Sequence, residues 1–175
     1  TLITIIGTML GITSGYIGGR FDMWFQRFVE IILAFPQLPL YLTLTTLIPP
    51  TAPSSLFLSF VILVIVGLGW AQLSREVRSK TMAMARIEYV RAAVAVGASD
   101  GRIITRHILP NVLSHVIVAV TLGIPTIILL ESFLGYLGFA VKPPLISWGL
   151  MLQDAATFGS IGTHPWILSP VGFLL

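Results

Sequence analysis

The chain has 175 residues, 55% of them hydrophobic and only 10% charged, with a mean hydropathy of +0.95 and a net charge of +3. A soluble domain of this size carries about 25% charged residues, so the composition excludes an ordinary globular protein and describes an integral membrane protein. The absence of cysteine excludes disulfides, thiolate metal sites and a cysteine nucleophile.

A span needs roughly 20 apolar residues to cross about 30 Å of hydrocarbon. Residues 2–18 are uncharged and form the first candidate, with Gly7, Gly11, Gly15 and Gly19 at every fourth position. That spacing lays a smooth stripe along one helix face, against which a neighbouring backbone can pack closely. A short polar turn with Arg20 and Asp22 follows. The second span, 24–48, is interrupted by Pro36 and Pro39, which remove backbone donors and predict a kink. After an uncharged loop at 49–55 comes the third span, 56–73, with Trp70 as an interface anchor near its end. A polar connection occupies 74–111, and the fourth span, 112–130, bends at Pro125. Residues 131–165 are mixed, and a fifth span starts at 166–175. The chain begins and stops inside apolar runs, without a Met or a charged leader, and reads as a single domain truncated at both ends.

The cations set the orientation. Arg20 and Arg27 lie in one turn, and Arg75, Arg78, Lys80, Arg86, Arg91, Arg102 and Arg106 lie in the 74–107 connection. If the spans alternate, these nine share one side and Lys142 has the other. That asymmetry places the 74–111 connection in the cytoplasm. It also accounts for the net positive charge without invoking nucleic acid.

Within the connection, Tyr89, Ala92, Ala93 and Val96 recur at helical spacing and make a shallow apolar face. Gly97 ends that helix, and Ser99 or Asp100 can cap a second one bearing Ile103, Ile104 and Ile108 with Arg102 and Arg106 among them. Pro110 marks the entry to the next span. Such a helix–turn–helix suits insertion into a groove on a partner protein. It suits equally an amphipathic helix on anionic membrane lipid. Patterning alone leaves both open.

The connection resembles the EAA loop of permease subunits in ATP-binding-cassette (ABC) importers: Ala92, Ala93, Gly97, Leu109 and Pro110 match that motif in register. Two positions depart from it, Arg91 in place of Glu and His107 in place of Ile, and both resemble the dipeptide/oligopeptide/nickel branch. The segments Gly15-Tyr16 to Gly19, Ala34-Phe35-Pro36, Leu134-Gly135-Tyr136-Leu137-Gly138, Pro143-Pro144 and Met151-Leu152 also look like that branch. Glu131-Ser132 and Ser147-Trp148-Gly149 resemble the C-type member of its permease pair.

This resemblance implies an all-α, polytopic bundle of the type I ABC importer permease kind with a cytoplasmic coupling loop, in the inner membrane of a prokaryote. It implies that Tyr89, Arg91, Ala92, Ala93, Gly97, Ala98, Ser99, Leu109 and Pro110 dock a cytoplasmic ATPase. It further implies a second, similar permease and an external substrate-binding protein as partners, with peptides as cargo. The nearest alternative cargoes are nickel chelates and oligosaccharides. The chain has no GxxxxGK[ST] phosphate loop, so ATP and magnesium are expected on the partner, and neither a catalytic residue, a cofactor nor a metal on this chain. His107, His115 and His164 have no carboxylate at metal-ligand spacing.

Glu131, Ser132 and Trp148 are candidates for the external mouth of a pathway. An acid is costly in lipid and cheap near water, which favours an interfacial role for Glu131. Lys142, Pro143 and Pro144 are expected to shape the external segment with Trp148. A secondary transporter would carry charges at mid-span, and the first, third and fourth spans have none. A membrane scaffold without transport fits the composition as well, and co-purification of an ATPase separates the two.

Overall fold

The computed structural model describes residues 1–49, 52–139 and 145–156, together with Trp166, Ser169 and Gly172. Every regular element among the described residues is helical. In lipid a backbone must satisfy its own polar groups, and helices do so within one segment. The elements are α1 (Leu2–Ile17), α2 (Gly19–Ala34), α3 (Gln37–Thr45), α4 (Ser54–Ala85), α5 (Glu88–Ala95), α6 (Asp100–Ile103), α7 (Leu109–Leu134) and α8 (Trp148–Ala155). Single π-helical turns, Ile104–Ile108 and Gly135–Phe139, flank α7.

Several boundaries differ from the sequence expectations. The helix that carries the third span does not end at residue 73: α4 continues unbroken for 32 residues to Ala85. No Gly or Pro interrupts residues 74–85, so nothing ends the helix where its polarity changes. Likewise, the second helix of the connection runs into the fourth span as one apolar segment, Asp100–Phe139, of 40 residues. Pro110 is therefore no helix start. The π-helical turn before it, in which Leu109 N–H reaches Ile104 O, widens the helix where proline would crowd the preceding carbonyls. The predicted kink falls at Phe35, whose extended backbone (φ −78°, ψ 132°) separates α2 from α3 just before Pro36. Within the given sequence α1 runs for 16 residues, about 24 Å, and ends at Ile17. The fifth span and Lys142, Pro143, Pro144 and His164 lie outside the described residues, apart from Trp166, Ser169 and Gly172.

The chain forms two compact units: Thr1–Gln37 with Ile65–Thr121, and Leu38–Val64 with Leu122–Leu175. In the first, α1 runs parallel to the second half of α4 along the glycine stripe. A Cβ on Gly7 would stand 3.0 Å from Trp70 O, one on Gly11 2.6 Å from Ser74 O, and one on Gly15 2.7 Å from Arg78 O. The stripe uses three of its four glycines, since Gly19 has φ +60° and meets nothing within 4 Å. Trp70 is not an interface anchor. It is buried, against Phe25 and Phe28 of α2 at ring separations of 6.0 and 6.3 Å, because the glycines draw α4 inward here.

The core of this unit joins Ile12, Leu73 and Val77 to Val90, Ile103, Ile108, Val112 and Val116. The connection is thereby fastened to α1 and α4. Ile103 and Ile108 are fully buried, each worth roughly 2 kcal/mol of burial, enough to hold the loop in a defined pose.

In the second unit, α8 lies across the end of α7. A Cβ on Gly149 would approach Gly135 Cα to 2.5 Å and Glu131 O to 3.0 Å. Ser147 starts α8 by accepting a hydrogen bond from Leu150 N–H at 3.2 Å. We expect Gly149→Ala to cost about 2 kcal/mol through overpacking, read as an earlier thermal unfolding in detergent. A melting curve matching wild type would contradict this close crossing.

Candidate functional site

The connection offers one surface and hides another. Helix α5 ends in a Schellman turn: Gly97 N–H donates to Val94 O at 2.9 Å and Ala98 N–H to Ala93 O at 3.0 Å, with Gly97 at φ +84°. Ser99 occupies the cap position of α6, yet its side chain makes no capping bond. Asp100 instead accepts a 2.7 Å hydrogen bond from the Tyr16 hydroxyl of α1. These features set α5 rigidly at the end of the bundle.

The inward residue of α5 is Val90, at 1% exposure, not the expected face of Tyr89, Ala92, Ala93 and Val96. Of those four, Ala93 is half-buried while Tyr89, Ala92 and Val96 are exposed. Val96 reaches 89% exposure and Val94 53%. Sequence spacing located an apolar face, and the core then took the single larger residue beside it. Arg91, Gly97, Ser99 and Pro110 are also exposed. Ala98 and Leu109 are half-buried and pack against the core, which leaves only part of each on the surface open to a partner. Val94 and Val96 belong to that surface, although the expected docking set omits Val94, and treats Val96 only as part of a helical stripe.

Tyr89, His107 and Asn111 meet on this side. The Tyr89 and His107 rings are 6.1 Å apart. Asn111 Nδ2 donates to the Tyr89 hydroxyl at 3.2 Å and to His107 O at 2.7 Å. Of the two residues that depart from the general loop motif, His107 belongs to this group, whereas Arg91 stands exposed on α5.

Two polar clusters lie on α4. Asp22 accepts bonds from Nε and Nη2 of Arg78, and from Ser14 Oγ at 2.6 Å, joining α1, α2 and α4. On another face, Gln72, Arg75, Glu76, Ser79 and Lys80 line a cleft of about 380 Å³ with His115 of α7. Gln72 donates to Glu76 at 2.8 Å, and His115 Nε2 stands 3.3 Å from the Glu76 carboxylate. His115 therefore has a carboxylate companion, one that linear spacing does not reveal. Among the described residues, no three His, Cys, Asp or Glu side chains gather to hold a metal.

The external candidates divide. Glu131 lines a largely apolar cavity of about 200 Å³ with Phe57, Leu58, Leu134 and Ile146. Trp148 is 43% exposed, whereas Ser132 is 3% exposed and its hydroxyl has no hydrogen-bond partner. One residue beyond Glu131 on the same helix, Ser132 is rotated into the packing.

Comparison with known proteins bears on this arrangement. The chain is 39% identical to the oligopeptide transport system permease protein OppC of Haemophilus influenzae over 170 residues, 97% of the chain and 52% of that protein. It is 38% identical to the dipeptide transport system permease protein DppC of Alkalihalophilus pseudofirmus over 169 residues, 97% of the chain and 53% of the relative. To OppC of Escherichia coli K12 it is 38% identical over 162 residues, 90% of the chain and 50% of that protein. The chain spans about half the length of these relatives. The model of the binding-protein-dependent transport system inner membrane component family matches residues 7–173. With its apolar helices and that match, the chain is an integral membrane protein belonging to the binding-protein-dependent transport system inner membrane component family.

Proposed function

We propose that this chain is the C-type membrane-spanning subunit of an ATP-driven importer of peptides, working with a second permease, an external substrate-binding protein and cytoplasmic ATPase subunits. The names of its relatives, oligopeptide and dipeptide transport permeases, support the peptide cargo. ATP and magnesium belong to the ATPase, and the membrane is the cytoplasmic one. The parallel course of α1 and α4 supports this orientation, since it brings the start of α2, where Arg20 and Arg27 lie in helix and not in the expected turn, to the same side as the cation-rich connection.

One observation carries the coupling role. Helix α5 is anchored through Val90 yet leaves Tyr89, Arg91, Ala92, Val94 and Val96 uncovered beside the Gly97 turn. Small side chains let a groove approach the helix, and the valines supply apolar contact. Nucleotide binding in the partner can shift the permease between two states only if it favours one of the docked poses.

Ala92→Asp and Val96→Asp place an unpaired charge in the interface, and each is expected to reduce ATPase co-purification by about tenfold. Gly97→Val strains the left-handed turn and is expected to act similarly. Permease thermal stability and membrane insertion should stay near wild type for the two Asp variants, because both sites are exposed. Full ATPase recovery and normal peptide uptake with both Asp variants would remove the docking role.

A further inference from the structure

The docking helix and the fourth span are joined twice. One joint is the backbone, through the Gly97 turn, α6 and the π-helical turn. The other is made of side chains, with Asn111 at its centre. Its amide donates to the Tyr89 hydroxyl of α5 at 3.2 Å and to the His107 carbonyl in the π-helical turn at 2.7 Å, while it sits itself on α7. The Tyr89 ring rests beside the His107 ring, 6.1 Å away and tilted by 50°.

The π-helical turn makes this bridge consequential. Leu109 N–H skips to Ile104 O, and Pro110 has no N–H to offer. The regular ladder is therefore weakest between the docking helix and the span, where a push on α5 would be absorbed rather than passed on. Single π-turns concentrate at functional positions for this reason. Asn111 bypasses the weak segment: it holds a carbonyl of the π-turn with the same amide that holds α5. The bridge lies on the exposed side, where Tyr89 is 44% exposed. A partner covering α5 would exclude water from it, and a hydrogen bond shielded from water is stronger.

We propose that Asn111 is a positioning residue that locks α5 to α7, so that motion of the docked helix is transmitted to the fourth span. This rests on the docking reading above, and the test separates the two. The complete transporter is reconstituted in proteoliposomes with wild-type permease, Asn111→Leu or Asn111→Asp. Three quantities are read: ATPase co-purification, permease melting temperature, and uptake of a radiolabelled tripeptide-to-pentapeptide mixture per ATP hydrolysed.

Asn111→Leu is expected to keep ATPase recovery and melting temperature while lowering peptide imported per ATP about fivefold, the worth of one net hydrogen bond. Asn111→Asp can still accept from the Tyr89 hydroxyl but has no N–H for the His107 carbonyl, so it should retain part of the coupling and fall between wild type and Asn111→Leu. Unchanged uptake per ATP in Asn111→Leu overturns the proposal. So does a loss of ATPase recovery in that variant, which would make Asn111 part of the dock, or equal uncoupling in both variants. Wild-type permease that recovers no ATPase would instead overturn the docking reading.

Discussion

A Gly11→Ala permease is expected to be less stable than wild type by about 3 kcal/mol, although alanine is the better helix former. The new Cβ would stand 2.6 Å from Ser74 O and 2.8 Å from Val77 Cβ, and the first of these is backbone that cannot rotate away. Helices α1 and α4 would have to separate along the whole stripe, taking Gly7 and Gly15 out of contact. Membrane helices lack a hydrophobic drive to associate and depend on such close packing. Gly67→Ala and Gly123→Ala are the controls, since among the described residues no other element comes within 4 Å of a Cβ at either site. Those two are expected to be neutral or to gain up to about 1 kcal/mol of helix propensity. Thermal unfolding in one detergent ranks all three, and equal melting of Gly11→Ala and Gly67→Ala would refute the packing assignment.

Asp22→Asn is expected to destabilise the permease by about 3 kcal/mol, because it strands the Arg78 guanidinium in a shielded site. The Asp22 side chain is 10% exposed and that of Arg78 25%. The fork of Arg78 engages both carboxylate oxygens, and Ser14 adds a third bond. Arg78→Lys loses the fork and should cost about 1–2 kcal/mol even with the charge kept. The double variant Asp22→Asn with Arg78→Gln has no uncompensated charge and should recover a large part of the single-variant loss. Strict additivity of the two single changes would show that the pair does not interact. The cluster also ties the ends of α1 and α2 to α4, so its loss should speed hydrogen exchange of the residue 14–22 amides.

Much of the architecture follows from the order of residues alone. The helical class follows from hydropathy, because spans of this apolarity have no other way to pair their backbone groups. The glycine spacing announced a close helix contact, which three of the four glycines make, and Pro36 announced the break after α2. Helix ends were harder to read. Residues 74–85 are polar yet helix-forming, so the change in polarity at residue 74 marks no helix end. Pro110 looked like a beginning because proline favours first turns, whereas a π-turn let the helix pass through it. In the connection, period alone could not say which stripe of α5 faces the bundle. Val90 and the Tyr89 stripe are adjacent on the wheel, and only the core cluster that includes Ile103 and Ile108 chose between them.

By itself, then, the sequence determined the medium, the helical class, the distribution of cations and the family-like loop. Each is a local property, set by composition or short-range spacing. The tertiary structure decided which neighbours those residues meet. It paired Asp22 with Arg78, Tyr16 with Asp100, Glu76 with His115, and Tyr89 with His107 and Asn111. It also buried Ser132 and half-buried Ala98 and Leu109 while leaving Val94 and Val96 bare. Such pairings depend on how helices distant in the chain cross, and a crossing is fixed by close packing of both partners at once. No single segment carries that information.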